Sequence, residues 1–118
     1  MPILGVGMDI VETARIERLS ERSPAFLERV FTSVELEYCL SKRCRYMHLA
    51  ARFAAKEAVA KALGRSFSWK DVEVINNPRG KPEVVLYGRA RQAAGAANVH
   101  LSISHTSTCA AAVAVVEV

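Results

Sequence analysis

Asp9 and Glu57 are the two carboxylates of this 118-residue chain whose surroundings best suit a metal ion. Asp9 ends an apolar stretch and shares one face of the expected strand with Gly5 and Gly7, because alternate strand residues point the same way. Glu57 lies in an alanine-rich segment with helical periodicity. Because proteins bind Mg²⁺ through one or two carboxylates together with waters and phosphate oxygens, the pair predicts a magnesium site for a phosphorylated substrate.

Each carboxylate also has a simpler interpretation. Asp9 is equally consistent with an exposed aspartate at a strand end. Glu57 is consistent with an i, i+4 helix pair with Lys61, worth about 0.3–0.5 kcal/mol. Glycines on a strand permit close approach of a ligand or of another backbone. Spacing alone leaves these alternatives open.

Basic side chains that suit a pyrophosphate share the helical segment of Glu57: Arg52, Lys56 and Lys61. His105 follows an alternating stretch and is therefore expected at a strand end, where loops often bind ligands. Solvated helix charges and an exposed turn histidine are the corresponding alternatives. The sequence has no glycine-rich phosphate loop of the Walker or dinucleotide type.

A ridge of arginines is expected on the first helix, formed by Arg15, Arg18 and Arg22. Such a ridge would bind an acidic helix or phosphates mainly by electrostatic steering, and more weakly as salt rises. A solvated basic face is the alternative. The net charge of +4 and the pI near 9.2 favour anionic partners without choosing among phosphates, nucleic acid and acidic proteins.

One compact domain spanning residues 1–118 is expected, because domains commonly have about 100–150 residues. Hydrophobic residues make up 51% and charged residues 24%, which are ordinary globular proportions. The three cysteines form no Cys-x-x-Cys pair and are odd in number, which predicts reduced thiols. Residues 1–9 lack a basic region and reach a carboxylate too early for a signal peptide or a membrane span, so we expect a cytoplasmic protein.

The elements that must position these residues form an α+β unit. A strand buried on both faces is predicted for residues 3–11, and a turn for residues 26–31. Thr32 and Glu35 have capping-box spacing and predict a helix to about residue 42. Residues 43–48 read as a connector. A long helix is predicted at 49–63, closed by Gly64, and short helices at 14–22 and 89–97. Residues 72–75 and 83–87 are predicted to form a hairpin. Strands at 99–104 and 110–116 complete a mostly antiparallel arrangement.

Five sequence blocks match, in order, the pattern of a known family: Gly5-Val6-Gly7-Met8-Asp9-Ile10-Val11-Glu12, Phe31-Thr32-x-x-Glu35, Arg52-Phe53-Ala54-Ala55-Lys56-Glu57-Ala58-x-x-Lys61-Ala62-x-Gly64, Gly80-Lys81-Pro82 and Ser102-Ile103-Ser104-His105-Thr106. The blocks extend over nearly the whole chain, and the third is highly specific. The sequence therefore resembles the holo-acyl carrier protein synthases, the short type of 4′-phosphopantetheinyl transferase. It departs from them at residues 65–69, which are shorter than the usual glycine-containing loop.

The resemblance implies an α+β protomer of the phosphopantetheinyl transferase fold that assembles into a homotrimer with active sites between subunits. It also implies that Asp9 and Glu57 bind Mg²⁺. In this interpretation Lys61 contacts the phosphates of coenzyme A.

The same resemblance assigns the remaining predicted contacts with the substrates. His105 would lie near the 3′-phosphate of coenzyme A, and Gly80, Lys81 and Pro82 would border its adenine. Arg15 with its neighbours would receive the acidic recognition helix of an acyl carrier protein.

The reaction expected from this resemblance is attack of a carrier serine on the β-phosphorus of coenzyme A, with departure of adenosine 3′,5′-bisphosphate. Lys61 would neutralise or protonate the leaving phosphate, and Glu57 or a metal-bound water would assist removal of the serine proton. A basic nucleic-acid-binding domain and a magnesium-dependent nucleotide hydrolase are the rival hypotheses. Aromatic residues make up only 7%, with no interleaved basic and aromatic strand, so nucleic acid is not an expected partner. A membrane is not expected either, because residues 1–9 do not suit a membrane span.

Overall fold

A computed structural model describes residues 2–118, and its elements follow the predicted order with several shifted ends. They are β1 (Ile3–Glu12), α1 (Thr13–Arg22), α2 (Ala25–Val30), α3 (Ser33–Leu40), α4 (Arg45–Leu63), a 3₁₀ turn (Trp69–Asp71), β2 (Val72–Asn76), β3 (Pro82–Leu86), α5 (Gly88–Ala94), β4 (Asn98–His105) and β5 (Cys109–Glu117).

The strands form two antiparallel sheets. One has the order β1-β5-β4, and the other is the hairpin β2-β3. The central helix α4 packs on β1 and β5 and also contacts β2 and the smaller helices. The predicted α+β class and the antiparallel pairing are therefore confirmed.

Alanine and glycine let β1 and α4 approach closely. A methyl group built on Gly5 would overlap the carbonyl oxygen of Ala62, and one built on Gly7 would overlap that of Ala58. The two glycines are therefore required for contact with the helix backbone, which is the second of the alternatives that the sequence left open. This contact places the inward-facing side chain of Asp9 beside α4.

The other face of β1 carries four large apolar side chains that remain exposed. Leu4, Val6, Met8 and Ile10 are between 58% and 63% exposed, and they define the outer face of β1. The prediction of a strand buried on both faces is wrong for the single chain, because α4 covers only the glycine side.

Local signals placed some helix ends correctly. The Thr32 hydroxyl accepts from the Glu35 amide at 3.2 Å, and the Glu35 carboxylate accepts from the Thr32 amide at 2.9 Å, which is the predicted capping box. Gly64 ends α4 with a left-handed φ of 79°.

Two short segments differ from the sequence predictions. Residues 25–30 are helical rather than a turn, because Phe26 packs against the rings of Phe31 and Phe53. The supposed connector at 43–48 contains the first turn of α4, where the Cys44 carbonyl accepts from the Met47 and His48 amides. Within residues 2–118, no helix has the length and apolar character needed to cross a bilayer.

Candidate active site

Lys61 joins α4 to β1 at the predicted carboxylate. Its ammonium donates to the Met8 carbonyl at 2.9 Å and lies 3.5 Å from the Asp9 carboxylate. The Lys61 side chain is 55% exposed and that of Asp9 is 20% exposed. The contact therefore lies at the rim of the fold, where a substrate phosphate can reach the ammonium.

Glu57 lies one helical turn before Lys61 and therefore on the same side of α4. Lys61 contacts β1 and does not pair with Glu57. Across residues 2–118 the Glu57 carboxylate has neither an ion pair nor a hydrogen bond. It is partly buried and lines a cavity of about 180 Å³. A half-buried carboxylate without a protein cation is a suitable ligand for an added cation.

Among the residues that the structure describes, no group of three or more His, Cys, Asp or Glu could hold a metal ion. Asp9 and Glu57 still suit Mg²⁺, since this ion commonly takes only one or two carboxylates and completes its shell with water and phosphate oxygens. The chemistry of this pair thus fits Mg²⁺, whereas structural zinc sites use four nitrogen or sulfur ligands.

Lys56 does not add positive charge for a pyrophosphate, in contrast to the sequence prediction. It is 3% exposed and its ammonium lies 2.9 Å from the carboxylate of Glu35, which is fully buried. The ammonium also donates to the carbonyls of Trp69, at 3.0 Å, and Val72. Burial lowers the pKa of Lys56, and the Glu35 carboxylate opposes that change. The charge of Lys56 is therefore paired with Glu35 inside the fold.

Arg52 points away from the carboxylates and toward the β2–β3 hairpin. It is 4% exposed, donates to the Asn76 side chain at 2.6 Å and stacks over Tyr38 at 4.4 Å. Its Nε is buried and has no partner within the described chain. Arg52 lines a cleft of about 380 Å³ together with Pro78 and Gly80. A buried guanidinium with an unused donor suits an anionic ligand.

Two further basic residues, Lys42 and His48, contact Tyr38 and were not predicted as site residues. Lys42 lies 4.6 Å from the Tyr38 ring centroid, and the His48 ring packs against its edge at 5.7 Å. Burial lowers the pKa of His48, and the charges of Arg52, Lys42 and His105 lower it further. His48 has no predicted role, because the segment around it carries no motif and only the structure shows its ring packed against Tyr38.

The three hairpin residues predicted to border an adenine divide between two cavities. Gly80, with φ of 86°, faces the cleft of Arg52. Lys81 and Pro82 line a cavity of about 340 Å³ between β3 and β4 instead. The Asn77 side chain fixes the turn by accepting from the Arg79 and Lys81 amides, at 2.9 and 3.0 Å.

His105 is exposed at the last position of β4, opposite Ala110, which agrees with the expected strand end. Arg15, Arg18 and Arg22 are all exposed on one side of α1. Arg15 and Arg18 line a groove of about 330 Å³ beside Ile10 on the outer face of β1. The arginine ridge therefore borders an apolar surface.

The predicted site residues thus form two groups within one chain. Asp9 and Lys61 meet at β1, with Glu57 one helical turn before Lys61, whereas Arg52 faces the hairpin. Five residues separate Arg52 from Glu57 on α4, which rotates their side chains by roughly 140° about the helix axis. One chain alone does not bring the two groups together.

The carboxylates near Lys61 and the separate cleft with a buried guanidinium are features that suit phosphorylated ligands, and an α+β fold carries both. The chain belongs to the 4′-phosphopantetheinyl transferase superfamily, whose family model matches residues 5–114.

Named relatives and solved structures agree with this membership. The chain is 50% identical over 116 residues to the holo-[acyl-carrier-protein] synthase of Caldanaerobacter subterraneus subsp. tengcongensis, covering 93% of this chain and 91% of the relative. It resembles the structure of a holo-(acyl-carrier-protein) synthase from Bacillus anthracis in complex with CoA (3′,5′-ADP), with a TM-score of 0.83, 37% identity and coverage of 98% and 96%. The Helicobacter pylori holo-[acyl-carrier-protein] synthase in complex with coenzyme A is similar, with a TM-score of 0.85, 33% identity and coverage of 95% and 99%.

Proposed function

We propose that this protein transfers the 4′-phosphopantetheine group of coenzyme A to a serine of an apo-acyl carrier protein and releases adenosine 3′,5′-bisphosphate. The observation that carries the proposal is the unpaired Glu57 carboxylate one helical turn from Lys61, whose ammonium contacts Asp9. The names of the relatives and the coenzyme bound in two similar structures support the same reaction.

Asp9 and Glu57 are the proposed ligands of Mg²⁺, which when bound would neutralise charge on the pyrophosphate of coenzyme A. Asp9 is already held near its position by Lys61 and by the close packing of β1 on α4. Glu57 is free to accept a cation because no side chain of residues 2–118 competes for it.

The transfer forms a bond between the serine oxygen and the β-phosphorus and breaks the bond from that phosphorus to the bridging oxygen. Lys61 neutralises or protonates the departing phosphate, since its ammonium is exposed and anchored at the Met8 carbonyl. The serine proton passes to Glu57 or to solvent. Positioning and charge stabilisation supply most of the acceleration.

The adenosine end of coenzyme A is assigned to the cationic cleft. Arg52 offers a buried and unused donor there, and Gly80 leaves space at the tip of the hairpin. His105 would meet the 3′-phosphate, while Lys81 and Pro82 border the adenine.

A homotrimer would complete this site by bringing the cleft of one copy to the carboxylates of another. The separation of the two residue groups on α4 supports this arrangement. The outer face of β1, more than half exposed at each of Leu4, Val6, Met8 and Ile10, supports it as well. Soluble monomers rarely leave so continuous an apolar strip uncovered.

The ridge of Arg15, Arg18 and Arg22 is assigned to the acidic recognition helix of the carrier protein. All three side chains are exposed, and the adjoining groove supplies apolar contact at Ile10. Residues 1–118 would act as a single transferase domain. The three unpaired cysteines agree with a cytoplasmic location.

The decisive experiment incubates the protein with coenzyme A, Mg²⁺ and an apo-acyl carrier protein, followed by mass spectrometry of the carrier. The expected result is a mass gain of one phosphopantetheine group, lost when Mg²⁺ is chelated. An unmodified carrier would overturn the proposal, and cleavage of coenzyme A without a carrier would favour a hydrolase instead.

A further inference from the structure

The ammonium of Lys56 has a closed set of partners that the proposed reaction does not use. A lysine ammonium has three N–H donors, and here they meet the Glu35 carboxylate, the Trp69 carbonyl and the Val72 carbonyl. Glu35 is itself fixed, because its carboxylate also accepts from the Thr32 amide at 2.9 Å and the Val74 amide at 2.8 Å. The three acceptors of Lys56 thus come from rigid parts of the fold.

The two carbonyls belong to the first residue of the 3₁₀ turn and to the residue that follows the turn, and both residues line one wall of the cavity at Glu57. That wall consists of residues 66–69 and Val72, while Lys56, Glu57 and Ala60 form the helix side. Lys56 directly precedes the candidate metal ligand on α4, and its side chain connects this position of the helix to the opposite wall of the cavity.

The wall is held by few polar contacts. The amides of Ser66, Phe67 and Ser68 have no backbone partner within the described chain, although the Ser68 carbonyl accepts from the Asp71 amide at 3.0 Å. The Trp69 ring stacks on Phe53 at 4.9 Å, and Phe67 also packs against the core. Lys56 therefore supplies the charged contacts between the wall and α4, and apolar packing supplies the rest.

Stability alone does not account for this arrangement. Burying an ion pair costs desolvation of both charges, and well-packed apolar replacements are often as stable or more stable. An ammonium whose three donors are all used does, however, fix distances more narrowly than apolar contacts can. A role in geometry is the better explanation for retaining charge here.

We infer that Lys56 is a positioning residue, which sets the distance between Glu57 and the wall formed by residues 66–69 and so controls the rate of the transfer step. This inference rests on the proposed function. It assigns no contact between Lys56 and either substrate, because the ammonium has no donor left.

The test compares Lys56→Met and Lys56→Arg with the parent protein, and uses Trp69, the single tryptophan, as a reporter. For Lys56→Met we expect kcat to fall about 10- to 100-fold, as for other displacements of roughly 1 Å, with the KM for coenzyme A nearly unchanged. Quenching of Trp69 fluorescence by acrylamide should increase, because the wall loses its anchor.

Lys56→Arg keeps the charge beside Glu35, so it remains informative if Lys56→Met fails to fold. Its planar guanidinium cannot direct donors to the same three oxygens, so we expect lower kcat and higher quenching, with a smaller loss of melting temperature than in Lys56→Met. Parental kcat and quenching in folded Lys56→Arg, with only the melting temperature of Lys56→Met reduced, would overturn the inference.

Tyr87→Phe is the matched control. It removes the hydrogen bond from Tyr87 to Glu73, at 3.0 Å, in the neighbouring part of the same polar network without touching the cavity wall. Its kcat and quenching should equal those of the parent, and a loss as large as that of Lys56→Arg would overturn the inference. Acrylamide quenching can be measured without turnover. If the parent protein proved inactive, the proposed transferase function would be refuted, and the quenching would still show whether Lys56 positions the wall.

Discussion

Lys56 and Glu57 are adjacent on α4, yet their environments are opposite. Lys56 is buried with every donor satisfied, and Glu57 borders a cavity with no protein partner in residues 2–118. Helical geometry directs consecutive side chains about 100° apart, so Lys56 meets α3 and β2 while the Glu57 carboxylate stays unpaired at the cavity. Adjacent charged residues of one motif therefore have different roles, and the presence or absence of protein partners distinguishes them.

The same contrast separates stability from activity. Removing one partner of a buried ion pair leaves the other charge buried and uncompensated, which destabilises the folded state strongly. Removing an unpaired carboxylate at a cavity costs little in folding but takes away a potential cation ligand. Substitutions in the buried pair should accordingly lower stability, whereas substitutions of Glu57 should lower activity.

The largest expected effect is the loss of transfer in Asp9→Ala and Glu57→Gln. Each change removes negative charge from the proposed Mg²⁺ site, so we expect kcat/KM to fall about 1,000-fold, as for loss of other preorganised charge stabilisation. The measurement is mass spectrometry of the carrier over time, with circular dichroism to verify folding. Glu28→Gln, an exposed carboxylate on α2, is the control and should retain full activity. Near-parental turnover in either site variant would remove that residue from the metal site.

Glu35→Ala should have the largest effect on stability. It leaves the buried Lys56 ammonium without its anionic partner, and the free energy of unfolding should fall by about 3–5 kcal/mol. Urea denaturation followed by circular dichroism measures this loss. Glu57→Ala is the matched comparison and should change stability by less than about 0.5 kcal/mol. Equal losses in the two variants would contradict the assignment of Glu35 to stability and of Glu57 to activity.

Local patterns account for the parts of the fold that the sequence predicted well. The capping box of Thr32 and Glu35 spans three residues, and the stop at Gly64 needs only its own left-handed backbone. By contrast, the partners of Lys56 lie up to 21 residues away and include two backbone carbonyls, which have no sequence signature. Its assignment to a pyrophosphate followed from its motif neighbours and was wrong.

Periodicity also cannot reveal what covers an apolar face. The continuous apolar run of β1 predicted burial on both sides, but the fold supplies α4 for the glycine side only. The helix at 25–30 was missed because six residues are too few to show a 3.6-residue period. The cleft around Arg52 needed tertiary contacts from α3 and the hairpin to be recognised.

A smaller effect is expected at the arginine ridge of α1. Arg15→Glu combined with Arg22→Glu should raise the KM for the carrier protein about tenfold, mainly by slowing electrostatically steered association. The KM for coenzyme A should change little. Steady-state kinetics at low and moderate salt measures both, and the parent should lose part of its advantage as salt rises. Equal impairment for the two substrates would refute the docking assignment.

The smallest effect concerns Cys39, a buried thiol near the Lys56–Glu35 pair. Burial raises the pKa of Cys39 from 9.0 to about 11, with the nearby Arg52 charge opposing the change. Between these values the unfolded chain releases a proton that the folded chain retains, so the stabilisation present below pH 9.0 is lost as pH rises toward about 11. The slope contributed by this thiol is at most about 1.4 kcal/mol per pH unit.

Lys56 contributes in the opposite sense over the alkaline range, because its pKa is lowered in the folded state and the unfolded chain retains the proton longer. The thiol is therefore isolated by comparing the pH dependence of unfolding in the parent and in Cys39→Ala. Urea denaturation at pH 8.5 and 10.5, chosen from the thiol pKa range, should show a smaller decline for the variant. Cys44→Ala removes an exposed thiol and should follow the parent. An identical decline in Cys39→Ala would mean that the Cys39 thiol ionises alike in both states, and that the low-polarity region around the Lys56–Glu35 pair ends short of it.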